Sequence, residues 1–91
     1  MGSMATDKKR VRFSFNTQPG SEVYLAGSFN NWDPARTRLK PNKEGLYAAS
    51  LRLPPGKHEY RFVVNGQWLT DPQNPQVQAN AFGTSNSVLE I

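Results

Sequence analysis

An all-β fold, a small antiparallel immunoglobulin-like sandwich of seven or eight short strands, is what the 91-residue sequence predicts. Three observations carry that reading. Short runs with an apolar residue at every second position recur along the chain. Clusters of Gly, Pro, Asn and Asp interrupt them about every ten residues, and no segment keeps helical spacing over three turns. The length allows one domain with a modest core.

The first ten residues, MGSMATDKKR, read as an expression remnant (Met1 to Ser3), a candidate natural start at Met4 and a polar arm expected to be disordered. The folded domain is therefore placed at residues 11–91. Val11, Phe13 and Phe15 alternate with Arg12 and Ser14 as a first strand. After the Pro19-Gly20 turn, Val23, Leu25 and Gly27 alternate with Tyr24 and Ala26, and these two runs are expected to pair. A turn over Asn30 to Pro34 leads to a short polar strand around Arg36 to Lys40, closed by Asn42-Lys43-Glu44-Gly45. In LYAASLRL (46–53), Tyr47, Ala49, Leu51 and Leu53 share a face, and Pro54-Pro55-Gly56 reverses the chain. HEYRFVV (58–64) sets Tyr60, Phe62 and Val64 toward the core and Glu59, Arg61 and Val63 away from it. Asn65-Gly66 is a strong type I′ hairpin signal, since both central residues need positive φ, and it delivers the chain to Gln67-Trp68-Leu69. Residues 71–86 read as irregular. SVLEI closes as a final strand with Val88, and with it Leu89 or Ile91, facing in. Phe13, Phe15, Phe29, Tyr60 and Phe62 are the expected core rings, whereas Tyr24 and Tyr47 fit either sheet face.

Composition narrows the function. There is no cysteine, which removes disulfides, thiolate metal sites and cysteine nucleophiles and suits a reducing cytoplasm, the expected location. No apolar run of roughly 18 residues and no leader-like segment occurs, so no membrane partner is expected. Of the net charge of +4, Lys8, Lys9, Arg10 and Arg12 lie in the N-terminal arm, and from Phe13 onward seven basic residues face six acidic ones. That near-neutral remainder argues against a nucleic-acid partner, which would need a clustered basic face. The single His58 has no evident acid or nucleophile beside it and reads as a strand-end surface residue. Asp33 and Asp71 both precede proline, as turn formers do. Without a nucleophile motif, a metal constellation or a phosphate-cradling glycine loop, neither catalysis nor a cofactor is expected.

What remains unusual is two tryptophans beside turns, Trp32 in GSFNNWDP and Trp68 after Asn65-Gly66, with amide, hydroxyl and basic side chains near them. Each ring could plug the edge of the sandwich or present a binding surface. Flat aromatic faces beside hydrogen-bonding groups suit a sugar, whose C–H face stacks on an indole while its hydroxyls take donors and acceptors.

At these residues the chain resembles a known family. EVYLAGSFNNWDP, LPPGKHEYRFVVNGQWLTDPQNP and FGTSNSVLEI occur in the order and spacing of the family 48 carbohydrate-binding modules. That family includes the glycogen-binding domain of the AMP-activated protein kinase β subunit and the early-set domains preceding the barrels of branching and debranching enzymes. The resemblance covers about Val11 to Ile91. It implies an early-set β-sandwich that binds α-1,4-linked glucans such as glycogen and starch without cleaving them. On the family pattern, Trp32 and Trp68 are the stacking residues, Arg61 a hydroxyl donor, Phe82 the apolar residue protruding toward a coiled glucan, and Thr84 and Asn86 the hydroxyl and amide that take sugar oxygens. Arg61 and Phe82 stand where the kinase-type domains carry lysine and leucine, and the loop from Asp71-Pro72 to Gly83 is one residue longer, closer to bacterial members, some of them free-standing. The competing expectation is an early-set scaffold that docks a partner protein or catalytic domain with little or no sugar affinity, as a piece of a branching or debranching enzyme or of a kinase regulatory subunit.

Overall fold

Two antiparallel sheets stacked face to face make up the described residues, 8–91, in a computed structural model. Nine strands are formed: β1 (Lys9–Asn16), β2 (Val23–Gly27), β3 (Thr37–Arg38), β4 (Lys40–Pro41), β5 (Leu46–Leu53), β6 (Lys57–Val64), β7 (Gln67–Leu69), β8 (Val77–Ala79) and β9 (Ser85–Glu90). The smaller sheet runs β1-β5-β4. The larger runs β3-β2-β6-β9-β8, with β7 also paired to β6. The all-β sandwich read from the alternation is the architecture present.

Three strand pairings differ from expectation, each for a tertiary reason. β1 does not pair with β2; it lies along β5, with Phe13 opposite Ala49, while β2 pairs with β3 and β6. Each of these strands has one apolar face, and placing them in opposite sheets buries both faces against each other, which a side-by-side hairpin would not do. The expected strand at 36–40 is divided between the sheets at Leu39, which is fully buried and donates its N–H to Val23 O at 2.9 Å. In the segment read as irregular, Val77–Ala79 adds an edge strand against β9.

In β9 and the residue after it, the inward face carries Leu89 and Ile91, as expected, but not Val88. Ser87 is buried, and Leu89 and Ile91 are packed against the core, so Val88 lies on the outer face opposite Glu59. The last five residues, SVLEI, hold too few apolar positions to settle a period of two. His58 is likewise not a surface residue. It shares the inward parity of Tyr60 and Phe62, is buried, and hydrogen-bonds through Nε2 to Pro54 O at 2.8 Å.

Strand β1 starts at Lys9, inside the arm assigned to residues 1–10, because Lys9 and Arg10 continue the ladder opposite Leu53 and Arg52. Residues 1–7, with the assigned expression remnant, lie outside the described residues. The outer face of the small sheet thereby carries Arg10, Arg12, Lys40 and Arg52, so the folded unit is more basic than the sequence-based partition implied.

Between the sheets, Val23, Leu25, Leu39, Tyr47 and Phe62 are the most enclosed apolar side chains. Phe13 meets Tyr60 edge-on at 5.0 Å and Tyr60 meets Phe62 at 5.9 Å, the T-shaped geometry that aromatic quadrupoles favour. The Tyr60 hydroxyl emerges at the sheet edge. It donates to Asp71 Oδ2 at 2.7 Å and accepts from Asn74 Nδ2 at 3.1 Å, and Asn74 also donates to Val88 O. With Asp71 N–H donating to Ser87 Oγ at 2.8 Å, this network fastens the long β7–β8 connection to the larger sheet. Burial raises the Tyr60 pKa well above its usual value; the Asn74 amide opposes the shift and the Asp71 carboxylate adds to it.

Candidate functional site

The outer face of the larger sheet carries the site, and strand register explains its layout. Ala26 lies opposite Arg61 and Tyr24 opposite Val63, while Val63 also lies opposite Trp68. Glu59 and Arg61 alternate outward from β6 because Tyr60 and Phe62 are committed inward. Ala26, beside Arg61, is fully covered and does not line the site. An open groove of about 640 Å³ lies over Glu59 and Arg61, between the turn that carries Trp32 and the loop that carries Phe82.

Trp32 forms one rim. The turn after β2 places two consecutive residues in the left-handed region, Asn31 at φ 59° and Trp32 at φ 57°. Asparagine tolerates this conformation, whereas a tryptophan held there costs roughly 1–2 kcal/mol. The surroundings enforce it. Trp32 N–H and Asn30 N–H both donate to Gly27 O, at 2.9 and 3.1 Å. The buried Asn30 amide accepts from Gly27 N–H at 3.0 Å and donates to Leu25 O at 2.8 Å and Thr37 Oγ1 at 3.0 Å. Gly27 must be glycine: a Cβ there would stand 2.6 Å from the Phe29 ring and 2.8 Å from Glu59 O.

Trp68 forms the second wall. Asn65 (φ 50°) and Gly66 (φ 84°) make the I′-like turn that the sequence signals, and the turn sets Trp68 opposite Val63. Arg61 lies along it, with Cζ 5.9 Å from the ring centroid and Nη2 donating to Trp68 O at 3.2 Å. Its Nη1 reaches Thr84 Oγ1 at 3.5 Å, and its enclosed Nε–H has no partner among the described residues.

The opposite rim is the Asn80–Thr84 loop. Asn80 Oδ1 accepts from the N–H groups of Phe82 (2.9 Å) and Thr84 (3.2 Å), and its Nδ2 donates to Thr84 Oγ1 (2.8 Å) and Asn86 Oδ1 (3.1 Å). Asn86 in turn donates to Glu59 Oε1 at 3.1 Å. Phe82 at the loop tip joins this network through its backbone N–H only, and the residue is 90% exposed. An exposed phenylalanine on an ordered loop is an apolar surface without an internal partner.

All six residues singled out from the sequence, Trp32, Arg61, Trp68, Phe82, Thr84 and Asn86, line this one groove. They come from four separate parts of the chain. Asn86 differs from the rest in being buried and already bonded at both ends of its amide, so it holds Glu59 and Asn80 in place. Three further liners, Ser28, Glu59 and Asn80, were not foreseen. Glu59 shares the outward parity of Arg61 and was accessible to the same period-two argument. Ser28 needs the β2–β6 register to be seen, since it accepts from Glu59 N–H at 3.2 Å. Asn80 sits in the segment that gave no periodic signal. Glu59 and Arg61 are the ionisable groups among the liners, and no group of three or more His, Cys, Asp or Glu among the described residues is arranged to hold a metal. No helix among the described residues is long and apolar enough to cross a membrane.

Similarity to known proteins shows the family of the chain. Residues 9–91 match the family described as the glycogen recognition site of AMP-activated protein kinase. The chain is 43% identical over 75 residues to 5'-AMP-activated protein kinase subunit beta-1 of Sus scrofa, an alignment covering 82% of this chain and 58% of that protein. It is 39% identical over 75 residues to subunit beta-2 of Mus musculus, covering 82% of this chain and 27% of that protein. It therefore spans less than two thirds of the length of these relatives. Maltogenic amylase from S. marinus shares the fold, with a TM-score of 0.76 at 23% identity over 93% of this chain and 14% of the amylase. The chain belongs to the glycogen-recognition family of AMP-activated protein kinase, within the family 48 carbohydrate-binding modules.

Proposed function

We propose that the groove binds an α-1,4-linked glucan without cleaving it, Trp32 and Trp68 stacking on sugar C–H faces from its two sides. The observation that supports this most is the convergence of two tryptophans, an exposed phenylalanine and hydrogen-bonding groups on one concave surface. Arg61 offers a planar donor fork, and Thr84 and Asn80 offer hydroxyl and amide groups around it. Phe82 projects where a curved chain would wrap its apolar inner side around a ring. With stacking on the order of 1–3 kcal/mol per aromatic, taken by analogy with base stacking, and about 1 kcal/mol net per hydrogen bond, a dissociation constant in the high micromolar to millimolar range is expected for short oligosaccharides. A polymer presenting many sites raises the avidity.

The test is retention on glycogen of the wild type and of the Trp32→Ala, Trp68→Ala double variant. Loss of retention with a nearly unchanged thermal melt is the expected result; a double variant that still binds would overturn the platform. A second reading, a scaffold that docks a partner protein, is favoured by the relatives being subunits of a kinase. Native gel mobility with and without dissolved glycogen separates the two, since a scaffold without sugar affinity migrates unchanged.

A further inference from the structure

Trp68 separates the groove from a second, smaller cleft. Val63 lies opposite Trp68 on one side and Tyr24 on the other, so the three stand in one row across the outer face. Adjacent strands are ~4.8 Å apart, which puts the Tyr24 and Trp68 backbones about 10 Å apart with a buried valine between them. Two large side chains flanking a short one leave a slot. It has a volume of about 280 Å³ and is lined by Glu22, Tyr24, Pro34, Val63, Gly66 and Trp68.

The slot repeats the chemistry of the groove on a smaller scale. Tyr24 and Trp68 supply aromatic surface, Val63 and Pro34 an apolar floor and edge, and Tyr24 and Glu22 hydroxyl and carboxylate groups suited to sugar hydroxyls. Glu22 is exposed, and its backbone N–H, not its carboxylate, is what Asn65 Oδ1 holds at 2.9 Å. Gly66 has open space where a Cβ would stand, which keeps the mouth clear. Trp68 lines both cavities, and Pro34 of the slot follows Trp32 of the groove by two residues in the same turn.

From this we infer that the slot is a second subsite, holding a glucose unit of a linear α-glucan chain that leaves the groove across Trp68. The inference rests on the sugar-binding reading of the groove. A closed ring of glucoses that fills the groove has no free end to enter the slot, whereas a long linear chain does. Length selectivity for linear over cyclic glucans follows.

Calorimetric titration with β-cyclodextrin and with linear maltodecaose tests this on the wild type, Tyr24→Ala and Glu22→Ala. Both variants are expected to keep the wild-type affinity for β-cyclodextrin to within about twofold. Maltodecaose is expected to weaken about tenfold in Tyr24→Ala and about threefold in Glu22→Ala. Unchanged maltodecaose affinity in both variants overturns the subsite and leaves the groove standing. A parallel loss of both sugars in Glu22→Ala also overturns it, and because Glu22 is exposed this variant decides the matter even if Tyr24→Ala unfolds. Wild type that binds neither sugar overturns the groove reading and the slot together.

Discussion

The two rims of the groove are each pinned by one asparagine, but to different things. Asn30 is 8% exposed and ties the Trp32 turn to the sheet, bonding the backbone of β2 and the Thr37 hydroxyl of β3. Asn80 is half-buried and ties the Phe82 loop mostly to itself, bonding Phe82 and Thr84 within four residues before reaching Asn86. One rim inherits its shape from the core, and the other builds its shape locally. Where a binding loop takes its order from the core, its loss costs stability; where it orders itself, its loss costs function alone.

Asn30→Ala gives the largest expected effect in this comparison. It removes the partner of Gly27 N–H and the amide bonds to Leu25 O and Thr37 Oγ1, and a destabilisation of about 3 kcal/mol is expected, read as a lowered denaturation midpoint with an unchanged slope. A loss below about 1 kcal/mol would mean that the turn is held by Gly27 and the backbone alone. Asn80→Ala should do the reverse, weakening glucan binding about tenfold while moving stability by less than about 1 kcal/mol. Equal stability losses in the two variants would erase the distinction between the rims.

Tyr60 connects the core to the long β7–β8 connection through Asp71 and Asn74, and its raised pKa makes that connection pH-dependent. The folded state keeps Tyr60 neutral at pH values where the unfolded chain ionises it. Its stabilising contribution is therefore complete below about pH 10 and declines as pH rises toward the folded-state value, by about 1 kcal/mol between pH 10 and 11. Denaturant melts of wild type and Tyr60→Phe should show a steeper alkaline decline in the wild type; parallel declines would remove Tyr60 from the account. The smallest effect concerns strain. Because Trp32 sits at φ 57°, Trp32→Gly should be more stable than Trp32→Ala by about 1 kcal/mol, with both deficient in binding. Equal melts for the two would show that the turn relaxes once the ring is gone.

Much of the sandwich was legible in the linear chain because alternation is local. Phe13, Tyr60 and Phe62 were placed inward from a period of two, and the Asn65-Gly66 turn from the backbone preference of those two residue types, whereas Tyr47, left open between the faces, is buried only by the closed sandwich. The six candidate site residues came from a family pattern laid over the chain, and their residue types already carried the chemistry of stacking and hydrogen bonding. The parity of His58 was available by the same alternation that placed Tyr60.

Partner choice between distant strands was not local, and only the folded chain decided it. Whether β1 lies beside β2 or across from it depends on which arrangement buries both apolar faces, a comparison over the whole molecule. The split of the 36–40 run at Leu39, the edge strand at Val77–Ala79 and the inward parity of β9 follow from that same competition. The same holds for the site. Glu59, Ser28 and Asn80 enter the groove only through cross-strand and loop contacts. Residue type supplied the chemistry of this surface, and long-range register decided where that chemistry meets, since side chains remote in sequence are brought together only when the sheets close over a shared core.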